Sequence, residues 1–201
     1  MSRRFLVAIL VGLLIFPVFS PVSSIESNET SRVGEKDSSL DILMLGNSYT
    51  AGNSLAVRLD SILTDSGEDA QVTSLTSGGL KLSEHAERAD TPGHSWNTTL
   101  QQRYDYVILQ DQSQVPALSI DTEYWQDSLA GLIYLNQRIE SRGGETILFM
   151  TWAWMDGSWM HPDYTSMQQG IARGYEMYNE NITTSDRPTY IAPIGLAFMH
   201  I

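Results

Sequence analysis

The sequence predicts an α/β domain of three layers, with helices on both faces of a mainly parallel five-stranded sheet. Two observations predict it. Short apolar runs of strand length alternate with longer segments of helical character, the order of βαβ units. The strand runs are apolar rather than cleanly alternating, as strands buried on both faces are. Counting along the chain gives five strands and at least four helices.

Residues 40–45 read as a buried strand and 54–65 as an amphipathic helix, with Leu55, Val57, Leu59, Ile62 and Leu63 as its apolar positions. Residues 70–75 alternate enough to be a second strand, and Ser77-Gly78-Gly79 is a turn. Short helices are expected over 81–89 and 96–102, then a third strand over 104–110. A polar loop holding Pro116 spans 110–119. A long helix over 121–142 is stopped by Gly143-Gly144. The fourth strand is 146–152, followed by a loop over 155–164 and a helix over 165–179. Arg187-Pro188 leads into the fifth strand, 189–192. Residues 193–201 read as the start of a further helix, so the C-terminal end of the domain is expected beyond residue 201. The sequence contains no internal repeat and no low-complexity tract.

Ahead of this domain, Ser2-Arg3-Arg4 and the apolar run 5–19 read as a secretory signal peptide over residues 1–24, or as an N-terminal anchor. The run is short for a membrane span, which needs about 20 residues. Residues 25–39 are polar and aperiodic, the pattern of a flexible linker. The domain is residues 40–201. Localisation is therefore expected to be secreted or extracytoplasmic, with a membrane contact only through an uncleaved N-terminal segment.

The formal net charge of −12 disfavours nucleic acid as a partner. The absence of cysteine removes disulfides, thiolate catalysis and Cys-based metal sites. With 42% hydrophobic residues, the chain has enough apolar material for a core without such links. Asn28-Glu29-Thr30, Asn97-Thr98-Thr99 and Asn181-Ile182-Thr183 fit the N-glycosylation pattern and agree with export.

Chemistry concentrates at the ends of the first three strands. Gly46-Asn47-Ser48 follows the first, Ser77-Gly78-Gly79 the second, and Gln110-Asp111-Gln112-Ser113 the third. In a doubly wound sheet these loops are neighbours at one edge. Ser48 is a candidate nucleophile, which needs a base and a site for the developing oxyanion. Its own N–H, the N–H of Gly79 and the amide of Gln112 are candidate donors. Read without that context, Ser48 is equally a turn residue or helix cap.

These blocks resemble those of the SGNH (GDSL-type) hydrolases. Gly46-Asn47-Ser48 is similar to the first block, usually Gly-Asp-Ser, and Gly79 to the second-block glycine. Val107-Ile108-Leu109-Gln110-Asp111-Gln112-Ser113 resembles the third, where a strand leads to Gly-x-Asn-Asp. The resemblance implies a flavodoxin-like αβα fold and hydrolysis of carboxylic esters, including acetyl esters of sugars, without cofactor or metal. It implies Ser48 as nucleophile, with Ser48, Gly79 and Gln112 forming the oxyanion hole. The sequence departs from the pattern in three places. Asn47 stands for Asp, and Gln112 for Asn. The Asp-x-x-His block that supplies the base does not occur, so the base is expected beyond Ile201.

His161 follows the fourth strand with acids nearby and is the base candidate within the chain; His200 is a lesser one. His85 and His94 suit substrate contact or the surface. Asn47, Asp111, Trp152 and Trp154 are candidate substrate contacts. The tryptophans read equally as core or as a wall against apolar rings and sugar C–H faces. Asp156, His161 and Asp163 lack metal-type spacing. The expected function is hydrolysis of a small-molecule or glycan ester. The alternatives are a non-catalytic carbohydrate-binding relative and a nucleotide- or flavin-binding domain using Gly46–Thr50 as a phosphate cradle, which the negative charge disfavours.

Overall fold

The structure is a computed structural model describing residues 39–199. The signal segment, all but the last linker residue, and His200 lie outside the described residues. The expected sheet is present. Strands β1 (Leu40–Gly46), β2 (Ala70–Thr76), β3 (Tyr106–Leu109), β4 (Glu145–Phe149) and β5 (Tyr190–Ala192) are all parallel, in the order β2-β1-β3-β4-β5. The helices are α1 (Ser48–Ala51), α2 (Leu55–Asp65), α3 (Leu82–Asp90), α4 (Ser95–Thr99), α5 (Glu123–Glu140), α6 (Tyr164–Ile182) and α7 (Ile194–Phe198). This strand order is the flavodoxin-like doubly wound arrangement. The chain leaves β1 toward β2 on one side and later fills β3 on the other, which opens a crevice at the C-terminal ends of β1 and β3.

Successive residues of a strand face opposite sides, and β1 shows the consequence. Ile42 and Met44 join Ile108, Ile147 and Phe149 in one core, closed by Leu55, Leu59 and Leu63 of α2. Leu43 and Leu45 join Val107, Leu109 and Leu148 in the other, closed by α3, α5 and α6 through Leu82, Leu132, Leu135, Ile171 and Tyr175. A fully buried side chain of this kind stabilises the fold by about 1.5–3 kcal/mol. The close packing extends to backbone: a Cβ at Gly131 of α5 would meet the main chain of Leu82 and Ser83.

Helix ends follow their local chemistry. Thr122 caps α5, accepting the Trp125 N–H at 3.4 Å, and Asp163 caps α6, accepting the Ser166 N–H at 2.7 Å. Gly143, at φ +80°, ends the turn after α5 in a conformation that side chains disfavour. Two expectations are corrected. Val57 is 65% exposed, because the buried stripe of α2 runs at four-residue spacing through Leu55, Leu59 and Leu63. The fourth strand ends at Phe149 rather than residue 152. There Gln168 of α6 takes over the chain, accepting the Ala153 N–H at 2.8 Å and donating to the Thr151 carbonyl at 3.2 Å.

Candidate active site

Ser48 is the first residue of α1, directly after β1. It is exposed, and its hydroxyl makes no hydrogen bond among the described residues. Asn47 caps the turn: its Oδ1 accepts the Tyr49 N–H at 3.1 Å. The turn is crowded from beneath. A Cβ at Gly46 would collide with Thr50 and with Gln110, so only glycine lets those side chains enter.

The three loops at this edge are bonded to one another. Asn47 Nδ2 donates to the Leu80 carbonyl at 3.1 Å, and the Ser77 N–H to the Gly46 carbonyl at 3.3 Å, joining the first loop to the second. Gln110 Oε1 accepts the Asn47 N–H at 2.9 Å and the Thr50 hydroxyl at 2.8 Å, joining the first to the third. The Leu82 N–H donates to Asp111 Oδ1 at 3.0 Å, joining the second to the third. Each candidate donor thus neighbours a tie: Ser48 beside Asn47, Gly79 beside Leu80, Gln112 beside Asp111.

Gly79 is exposed at φ +70°, a conformation that favours glycine, with no atom within 4 Å of where a Cβ would stand. Gln112 Oε1 accepts the N–H groups of Gln114 at 2.7 Å and Val115 at 3.3 Å. The extra methylene relative to asparagine folds the oxygen onto its own turn. Its Nε2 is left without a partner among the described residues.

Two expected substrate contacts are corrected. Asn47 is 2% exposed and Asp111 0%, and their polar atoms face the protein. Asp111 Oδ1 accepts the N–H groups of Leu82 and Gln112 and the Ser128 hydroxyl, at 3.0, 2.8 and 3.2 Å. Its Oδ2 accepts the Tyr178 hydroxyl at 2.9 Å. Burial pushes this carboxyl up to about 6, against the pull of these four donors. At neutral pH it is a buried carboxylate held by hydrogen bonds, and burial beside it raises Tyr175 and Tyr178 well above the ordinary phenol value.

The histidines divide. His161 is half-buried, its Nε2 3.1 Å from the Ala117 carbonyl, and its ring lies against Gly170 of α6. It therefore ties the loop before α6 to the segment after β3, and its partner is Ala117 rather than Ser48. His85 is fully buried, which corrects its expected surface role. Its Nδ1 accepts the Trp96 indole N–H at 2.8 Å. Desolvation, then the Arg88 guanidinium, lower its pKa to about 4, so it is neutral at physiological pH. His94 caps α4 through the Trp96 N–H at 3.3 Å. Asn97 Nδ2 is buried and donates to the Ala89 carbonyl, so this glycosylation tripeptide is closed to modification in the fold.

Trp152 and Trp154 follow β4 and stand at the same edge. Trp152 lies between Tyr49 and Phe198, with ring centroids 4.5 and 5.1 Å away. Trp154 is 41% exposed. Gln110 and Gln168 are both fully buried, and the sequence did not show their tying roles. Their signal was a polar side chain at the end of an apolar strand and on the inner stripe of a helix.

No family model and no curated protein matches the sequence. The fold does have solved counterparts. A Slackia heliotrinireducens protein assigned to the SGNH hydrolases is 21% identical, with a TM-score of 0.65, over 82% of this chain and 84% of its own. AlinE4, an esterase of the SGNH-hydrolase family, is 16% identical with a TM-score of 0.56, over 82% and 81%. The psychrotrophic esterase EstA from Pseudoalteromonas sp. is 12% identical with a TM-score of 0.51, over 75% and 76%. The chain has the three-layer α/β fold of the SGNH hydrolases.

Proposed function

We propose that this chain is an exported serine hydrolase of carboxylic esters. Ser48 attacks the ester carbonyl, and the oxyanion is met by the N–H groups of Ser48 and Gly79 and by Gln112 Nε2. The alcohol leaves, and water releases the acyl group from Ser48. The general base is a histidine outside residues 39–199, since His161 is engaged with Ala117, His85 is buried against Trp96, and His94 caps α4 through the Trp96 N–H. Export follows from the signal-like residues 1–24.

The observation that carries the reading is the set of ties between the three loops. An exposed serine with an unengaged hydroxyl, a glycine at positive φ and an amide with a free Nε2 each flank a buried tie. Preorganised donors are what oxyanion stabilisation requires. SGNH hydrolases and esterases sharing the fold support the same chemistry. The test is hydrolysis of p-nitrophenyl acetate by the full-length protein and its Ser48→Ala variant. Unchanged turnover in the variant defeats the reading.

A further inference from the structure

Gln110, the residue after β3, is a fully buried amide set beneath the serine turn. Its Oε1 accepts both the Asn47 N–H, at 2.9 Å, and the Thr50 hydroxyl, at 2.8 Å, while its Nε2 donates to the Asp111 carbonyl. The two donors flank Ser48 in sequence, Asn47 before it and Thr50 after it. We propose that Gln110 is a positioning residue for Ser48: one carbonyl oxygen, reaching across from β3, sets the main chain from which the Ser48 hydroxyl and N–H project. The proposal rests on the ester-hydrolase reading above and adds to it the residue that aims the nucleophile.

The path from Gln110 to Ser48 is short. Gln110 holds the N–H of Asn47, and the N–H groups of Thr50 and Ala51 hold the Asn47 carbonyl, at 3.1 and 2.9 Å. That carbonyl and the Ser48 N–H share one planar peptide, so fixing the first fixes the direction of the second. The Asn47 side chain is engaged as well, with the Tyr49 N–H and the Leu80 carbonyl. Ser48 therefore follows a residue whose N–H, carbonyl and side chain are all bonded. Among those bonds, the one to Gln110 comes from the far side of the crevice between β1 and β3.

Packing alone does not call for this side chain. An amide taken out of water is unfavourable unless it is bonded, and an apolar residue would end the strand without that demand. Gly46 is constrained in turn, since a Cβ there would collide with Gln110 Oε1 and with Thr50. The turn is thus built around that oxygen. The SGNH third block, which residues 107–113 resemble, has glycine where this chain has Gln110, and glycine can make neither bond. The tie is a device of this chain's own residues. What it supplies is accuracy of placement, and a misplacement of about 1 Å can cost about 10²-fold in rate.

The experiment compares kcat and KM for p-nitrophenyl acetate in full-length variants, per folded protein and relative to wild type at the same pH. Gln110→Met fills the space without the acceptor, and Gln110→Asn keeps a buried amide that stops a methylene short of the turn. Each should lower kcat about 10²-fold with KM within about twofold. Gln110→Glu keeps the oxygen at full reach and should recover about tenfold or more of that loss at pH 5, where burial keeps its carboxyl protonated. Thr50→Val removes the other bond to the same oxygen and should lower kcat less than Gln110→Met does. An amide with a structural role alone would lower the unfolding midpoint in these variants and leave the kcat of the folded protein unmoved. In the wild-type protein, the Asn47 N–H should exchange with deuterium as slowly as its β1 neighbours. A kcat within about threefold of wild type in Gln110→Met or Gln110→Asn, a loss that Gln110→Glu does not reverse, or exchange of the Asn47 N–H at the rate of an open loop overturns the proposal. Turnover that survives Ser48→Ala defeats the ester-hydrolase reading. Turnover lost in Ser48→Ala but kept in the Gln110 variants defeats the positioning role alone.

Discussion

Around Gln110 and Asp111, the C-terminal edge of the sheet is polar, buried and bonded throughout. Around Trp152 and Trp154, at the same edge, it is aromatic and open. In the first region, two side chains from the end of β3 accept or donate seven hydrogen bonds to loops, strand ends and helices on both sides. In the second, Gln168 fixes the backbone and leaves the rings exposed or stacked on one another. A transition-state oxyanion has one required place, and donors must already be there. An apolar group is held by area, which is not directional, so its wall can be loose. The first region has the fixed, directional bonding of the one kind, and the second the open apolar area of the other.

The sharpest way to break this contrast is Ser48→Ala. Turnover of p-nitrophenyl acetate by the full-length protein should fall by about 10³-fold or more, with the far-UV spectrum unchanged. Asp111→Ala should act on stability instead. It leaves four buried donors facing no acceptor, each costing about 1–3 kcal/mol. A loss of about 4 kcal/mol in urea unfolding is expected, and a loss under 1 kcal/mol would show that the network is not a structural tie.

The pH dependence sharpens the polar side further. The folded pKa of Asp111, about 6, lies above its ordinary 3.8, so its stabilising contribution is complete below 3.8 and is lost as pH rises through 6. That of His85, about 4, lies below its ordinary 6.5, so its contribution is complete above 6.5 and is lost as pH falls through 4. At about 1.4 kcal/mol per unit, each amounts to about 3 kcal/mol, with opposite sign over nearly the same window. The wild-type protein should show little change from this pair between pH 6.5 and 4. Asp111→Asn should become about 3 kcal/mol less stable over that interval, measured by urea melts at several pH values.

Two smaller effects complete the comparison. Gln112→Ala should lower kcat about 10²-fold with little change in KM, and should also cost about 1 kcal/mol in urea unfolding, since its Oε1 no longer accepts the Gln114 and Val115 N–H groups. Trp159→Ser should leave stability within about 0.5 kcal/mol, because the ring is 82% exposed.

The fold was legible because buried parallel strands announce themselves. Residues 42–45 and 106–109 are apolar on both faces, and little but a core strand has that composition at that length. The order of the three loops and the position of Ser48 followed from the same reading. The inward turn of Asn47 and Asp111 was not legible. A polar residue after a strand looks alike in sequence whether it faces water or the helices behind it. Its direction depends on partners such as Tyr178, 67 residues away. The end of β4 was misplaced for a similar reason, since Gln168 lies on a helix that sequence pattern cannot dock.

The hydrogen bond from the Asn47 N–H to Gln110 spans 63 residues of chain. During synthesis, the segment bearing Ser48 therefore emerges long before the residue that props it. Strand β1 can pair with β2 early, but the serine turn takes its final shape only when β3 slots in on the other side. Such distant pairings form slowly, after the loop-closure cost has been met. A nascent chain that stops short of residue 110 thus carries Ser48 without its support, and the final shape of the serine turn arrives late, as a property of the closed sheet rather than of the motif.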